Sequence, residues 1–194
     1  MKNHYPVVIF NDYIAAYGTI RALGPYDIPI YVVSRSGKGL ATKSRFVRGS
    51  LALSPNDPEF ICKLLIWLKK KVGKEAVLMV AGDDDYLDVL AKGSSELSSG
   101  IKTTFPNWET VVLVREKRRA YKIAEDLGIP IPKTYYITCQ NELENLMDNG
   151  IDADFPLLMK AEDSSTFMNQ YGTKGIICNH RDEILRSYAK YGGF

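Results

Sequence analysis

Two lysines stand in contexts that could do chemistry. Lys117 sits in the first turn of a helix expected over 116–127, and Lys160 follows the apolar run Phe155–Met159. An unpaired charge at the end of a core strand is costly, which singles out Lys160. The stretch after it is polar and small, with Ser164, Ser165, Gly172, Thr173, Lys174 and Gly175, and then an apolar run resumes. It reads as a polar hairpin. Backbone N–H groups and hydroxyls on such a loop can close over phosphates, although a plain β-hairpin uses the same residues.

A second group is acidic. Asp83, Asp84 and Asp85 follow Val77–Val80, at what should be the C-terminal end of a parallel strand, where open α/β sheets bind ligands. They could hold a substrate amine or a metal, or cap the next helix. Asn11 and Asp12 occupy the corresponding turn after Val7–Phe10. That turn carries neither G-x-G-x-x-G nor a P-loop, which disfavours an ordinary dinucleotide-binding or P-loop enzyme. No G-x-S-x-G surrounds a serine. Cys178 and His180 would share a face of one strand, an arrangement read as a core cysteine beside an exposed polar residue.

The elements that must position these residues follow from hydrophobic spacing. Strand runs at 7–10 and 28–33 flank a helical pattern, Ala15, Ala16, Thr19, Ile20 and Leu23, which Gly24-Pro25 ends. This is a βαβ unit, and it predicts a parallel sheet. A third strand is expected over 49–53. Next comes a helix with Asp57 as cap, Pro58 at its first position and Lys69–Lys71 at its negative end. The run 77–80 predicts a fourth strand, with a helix over 86–92 and a loop over 93–100. Val111–Val114 reads as a short strand or extended link, and Thr134–Thr138 as a strand. Further on, the pattern gives a helix over 141–149 capped by Asn141, strands at 156–160 and 174–178, and a last helix capped by Asn179.

The composition is that of a soluble globular protein. The 194 residues are 45% hydrophobic and 25% charged, with a net charge of +2, which gives no reason to expect nucleic-acid or membrane-surface binding. No apolar run approaches the roughly 20 residues needed to span a bilayer. Cys62, Cys139 and Cys178 are isolated, which suits a reducing, cytoplasmic setting rather than a disulfide framework or zinc ribbon.

Taken in order, the chain resembles the N-terminal part of an ATP-grasp enzyme. The match rests on Arg115–Ala124 followed by Leu127-Gly128-Ile129-Pro130-Ile131-Pro132-Lys133-Thr134, on Phe155-Pro156-Leu157-Leu158-Met159-Lys160, and on the return through Gly172–Gly175. Glu116 stands where the family commonly has Asp, and Ala161 where it has Pro. The resemblance implies a Rossmann-like α/β pre-ATP-grasp domain over 1–107 and a small α+β ATP-grasp lobe over 108–194. It looks closest to carbamoyl-phosphate-synthase-like and amino-acid-ligase members. It implies ATP phosphates on Lys117, Lys160, Ser164, Ser165, Gly172, Thr173 and Lys174, with Asn11, Asp12 and Asp83–Asp85 as substrate candidates. The implied reaction joins a small-molecule carboxylate to an amine through an acyl-phosphate, using ATP and magnesium.

In that family a larger subdomain follows and supplies the adenine hinge and the magnesium ligands. The chain is therefore expected to be a truncated fragment, inactive alone, without metal ligands of its own. It is also expected to expose apolar surface that could self-associate. The rival reading is a non-catalytic Rossmann-like ligand-binding or regulatory module.

Overall fold

The computed structural model describes residues 4–151, 154–162 and 164–192, with backbone alone for Ser164 and Ser165. The chain divides into two compact units, residues 1–112 and 113–194.

The first unit is a five-stranded parallel sheet covered by helices. In chain order its elements are β1 (Val7–Phe10), α1 (Ile14–Leu23), β2 (Ile30–Ser34), β3 (Val47–Ala52), α2 (Phe60–Trp67), β4 (Ala76–Val80), α3 (Asp84–Lys92) and β5 (Ile101–Thr103). The strand order is β3-β2-β1-β4-β5. β1 is central, with Val8 in register with both Tyr31 and Leu78, and all four of its residues are buried. Side chains alternate across a strand, so β1 must fill two cores, and its continuous apolar run follows from that. Val8 and Phe10 pack with Phe60, Leu64, Tyr86 and Leu90, while Val7 and Ile9 pack with Ala16, Ile20 and Ala41. Phe10, Phe60 and Tyr86 form an aromatic cluster with ring centroids 5.7–6.4 Å apart.

β5 lies beyond the expected strands. It is short and at the sheet edge, and nothing in Gly93–Gly100 announces it. The run at 111–114 is not extended. It belongs to α4 (Trp108–Arg115), because the Asn107 side chain accepts from the Thr110 N–H at 3.1 Å and starts a helix there. Of that run only Val111 is buried. A four-residue apolar run has no period of its own, so its flanks decide its state.

The second unit holds α5 (Lys117–Asp126), α6 (Gln140–Asn149), β6 (Leu157–Met159), α7 (Ser164–Tyr171), β7 (Ile176–Cys178) and α8 (Arg181–Tyr191). β6 and β7 form an antiparallel pair with Leu158 opposite Ile177. Thr134–Thr138 is no strand, since β6 and β7 pair only with each other. The expected polar hairpin is also replaced: α7 occupies most of it. Phe167 and Tyr171 lie four residues apart on one helical face. Phe167 is buried, with rings 4.8 Å from Tyr171 and 5.7 Å from Tyr191.

Three caps differ from expectation. α2 starts at Phe60 behind Glu59, so Pro58 is not its first residue, and Asp57 accepts from the Glu59 N–H at 2.9 Å just ahead of it. α6 starts at Gln140 and α8 at Arg181, and neither Asn141 nor Asn179 supplies a side-chain cap. Instead, glutamates reach back. Glu142 accepts from the Thr138 N–H at 2.7 Å, and Glu183 from the Asn179 N–H at 2.6 Å. Each glutamate ties the first turn back to the residue before the cap, one position earlier than in a capping box. The same bonds hold both carboxyls below their ordinary range.

Candidate functional site

In the first unit the candidate residues gather at the C-terminal ends of β1, β2 and β4. Asn11 ends β1 with a positive φ of 96°, a conformation asparagine tolerates because its side chain bonds locally. Its Oδ1 accepts from the Asp12 N–H at 2.7 Å, and its Nδ2 donates to the Ala81 carbonyl at 3.0 Å. Asn11 therefore ties the end of β1 to the end of β4. Asp12 accepts from the Gly39 N–H at 3.0 Å, and a side chain on Gly39 would collide with the Asp12 carboxylate. The loop after β2 is thus fastened to the β1 turn. Both residues hold backbone in place, so their side chains are already engaged.

The aspartates are joined by a residue the sequence reasoning missed. Arg35, just past β2, donates to Asp83 at 2.6 Å and to Asp85 at 2.7 Å. Its guanidinium lies over the Tyr86 ring, 5.2 Å from the centroid, a cation–π position. The only signal was a cation two residues past an apolar strand run. Asp83 also accepts from the Tyr86 N–H at 3.3 Å and caps α3. Tyr86 is buried and donates its hydroxyl to the Leu53 carbonyl at 2.7 Å. Burial pushes the Tyr86 phenol well above its usual range, and the hydrogen bond to Asp83 raises the Arg35 guanidinium. Of the open readings for this cluster, helix capping describes Asp83, ion pairing describes Asp85, and Asp84 is exposed. Beside them is a recess of about 250 Å³ bounded by Val80, Gly82, Asp84, Leu87, Thr104 and Phe105.

In the second unit Lys117 is the first residue of α5, behind Glu116 at the cap position. Glu116 pairs with Arg119 at 2.7 Å. Lys160 follows β6 and is exposed, so it is not the buried strand-end charge the apolar run suggested. Alternation places it on the same face as Leu158, and the register sets Leu158 opposite Ile177. Leu158 is 55% and Ile177 64% exposed, so this face is open, apolar and bordered by a cation. The other face carries buried Cys178, whose thiol burial pushes up. His180 is exposed, so the pair is a core cysteine beside an exposed polar residue.

The return segment meets Lys160 directly. A Cβ on Gly175 would lie 3.2 Å from Lys160 Cγ and 2.9 Å from the Met159 carbonyl, so glycine is needed for that approach. Thr173 donates to the Gly175 carbonyl at 2.8 Å. Gly172, with φ +70°, ends α7 and turns the chain toward them. Lys174 is exposed. Lys160, Thr173, Lys174 and Gly175 are therefore brought together. Ser164 and Ser165 open α7, but their side chains lie outside the described residues. Among the described residues no group of three or more His, Cys, Asp or Glu is placed to hold a metal ion. No helix among them is long and apolar enough to cross a membrane.

No protein-family model matches the chain, and no curated protein matches it in sequence. Solved structures do match in fold. A parallel sheet with helices on its faces, followed by a small lobe with an antiparallel pair, is the fold of the N-terminal part of ATP-grasp ligases. The N5-carboxyaminoimidazole ribonucleotide synthetase of Thermus thermophilus is similar over 96% of this chain and 44% of its own, at 13% identity and a TM-score of 0.69. The L-amino acid ligase of Bacillus licheniformis is similar over 99% and 43%, at 13% identity and a TM-score of 0.62. The biotin carboxylase domain of 2-oxoglutarate carboxylase from Hydrogenobacter thermophilus, solved with MgADP, ADP and bicarbonate, is similar over 97% and 40%, at 16% identity and a TM-score of 0.61. The chain thus spans less than half the length of the structures it matches.

Proposed function

We propose that the chain is the N-terminal portion of an ATP-dependent carboxylate–amine ligase, and that its second unit contributes nucleotide binding. The observation that carries this reading is the open face of the β6–β7 pair, where Leu158 and Ile177 lie beside Lys160 and the Gly172–Gly175 return. An apolar surface bordered by cations suits a flat base with a phosphate tail. Lys160 and Lys174 would neutralise phosphate charge, and Lys117, at the first turn of α5, would add to it. In the reaction, a carboxylate oxygen attacks the γ-phosphorus, ADP leaves with the bridging oxygen, and an acyl-phosphate forms. The amine then attacks the acyl carbon, loses a proton and expels inorganic phosphate.

The described residues do not fit magnesium, so no step is assigned to it in this chain. In this reading the metal ligands lie elsewhere in a longer protein, and the chain alone is inactive. Substrate would meet the first unit at the recess beside Asp84, with Asn11, Asp12, Asp83 and Asp85 shaping the surrounding backbone. The open apolar face would also promote self-association of the isolated chain in the cytoplasm.

The test is equilibrium dialysis of labelled ATP against the chain. Weak binding that falls at least about tenfold in Lys160→Ala is the expected result. Binding that ignores both Lys160→Ala and Lys117→Ala would refute it. A second reading draws on the Arg35 clamp. With Asp83 and Asp85 already paired, the first unit could serve as a non-catalytic ligand-binding or regulatory module, and a ligand bound there would be indifferent to both lysines.

A further inference from the structure

A second cavity lies at the other end of the five-stranded sheet, where the parallel strands begin. It measures about 990 Å³, within the range of small-molecule sites. Its lining comes from the segments entering β1, β4 and β5 and from the end of α2. The cavity has a local cause. After Trp67, α2 widens into a π-type turn over Leu68–Val72, closed by a bond from the Gly73 N–H to the Leu68 carbonyl at 2.9 Å. Gly73 then leaves with φ +130°. Across from it, Gly100 packs so closely that a Cβ would come within 2.5 Å of the Lys74 carbonyl. Two loops thus cross backbone against backbone, and neither glycine has a side chain to fill the space beside them. Wide turns of this kind recur at functional sites.

The lining sorts by chemistry. Pro6, Leu65, Val72 and Ile101 are half-buried and apolar, and Tyr5 adds an exposed ring. Lys69, Lys74 and His4 are exposed polar groups of the same lining, against one carboxylate, Glu75. Among the described residues neither Lys69 nor Lys74 forms an ion pair. Lys69 complements the end of α2, but that role does not extend to Lys74, which lies beyond Gly73 on the way into β4.

We infer that this cavity binds an amphipathic monoanion, a small molecule with a hydrocarbon body and a carboxylate or sulfonate head. The hydrocarbon lies on the apolar lining, and Lys69 and Lys74 hold the head. The site is separate from the nucleotide reading and stands without it.

The test uses 1-anilinonaphthalene-8-sulfonate as probe on the full chain. One saturable site is expected, displaced by octanoate but not by inorganic phosphate. The double variant Lys69→Glu/Lys74→Glu should weaken binding roughly tenfold or more, and Tyr5→Ala should weaken it separately. Lys74 and Tyr5 are exposed and lie outside the helices, so their replacement should leave the melting temperature unchanged, while Lys69→Glu should lower it slightly through the end of α2. NMR shifts on titration should centre on Leu65, Val72 and Ile101. Affinity unchanged in both variants would overturn the inference, as would shifts centred on Leu158 and Ile177, or displacement by phosphate alone.

Discussion

Asp83 offers a sharp test of how the first unit is built, because it does two separable jobs. It caps α3, and it receives the Arg35 guanidinium at 2.6 Å. Loss of a cap costs about 0.5–2 kcal/mol. The ion pair adds less. The Arg35 side chain is 47% exposed, and solvent-screened pairs contribute about 0.2–1 kcal/mol. Asp83→Ala should therefore cost about 0.7–3 kcal/mol. Asp83→Asn keeps a capping oxygen and loses the charge, so it should cost about 0.2–1 kcal/mol. Both tryptophans, Trp67 and Trp108, lie in the first unit, so urea unfolding followed by their fluorescence reports on it directly. Arg35→Ala should be non-additive with Asp83→Ala, since each removes the same pair. High salt should shrink the Asn effect and leave most of the Ala effect. Equal losses for Asn and Ala, or an Ala variant indistinguishable from wild type, would refute the capping argument.

Two further outcomes follow from local chemistry. Cys62 and Cys139 are exposed and Cys178 is buried, so Ellman's reagent should titrate two thiols rapidly in the native chain and the third only after denaturant is added. The hydrogen bond from Lys63, at 2.7 Å, holds the Asp57 carboxyl below its ordinary 3.8 and raises Lys63 above 10.5. The contribution of this pair is therefore present from about pH 4 to about pH 10. It is lost as pH falls through the lowered Asp57 value, or rises through the raised Lys63 value. NMR titration of the Asp57 carboxyl should give a midpoint below 3.8 that returns toward the ordinary value in Lys63→Ala.

Where long-range order follows from local pattern, the sequence was readable. The runs at 7–10, 28–33 and 77–80 are apolar on both faces, so they had to be central strands of a covered parallel sheet, and they are. The helix at 116–127 and the closing β6–β7 pair were equally legible. The three resemblance motifs pointed to the fold that the solved structures then matched. Errors fell where a short segment lacked a decisive period. Val111–Val114 became helical because Asn107 caps it. Thr134–Thr138 found no partner strand. The polar stretch after Lys160 became α7 because Phe167 and Tyr171 had a core to enter beside Tyr191.

The candidate sites divide in the same way. Residue type and spacing by themselves selected Lys117, Lys160 and Asp83–Asp85, because charge at a strand end or helix start is a local property. Only the tertiary structure decided what each side chain meets. Arg35 is 48 residues from Asp83 in sequence, and only the parallel order of β2, β1 and β4 brings their ends together. The same folding placed Lys160 on an open face rather than in a core, and set Gly175 against it. Hydrophobic periodicity fixes which elements form, but the partners of a polar group depend on chain crossings, and those are settled by packing across the whole unit.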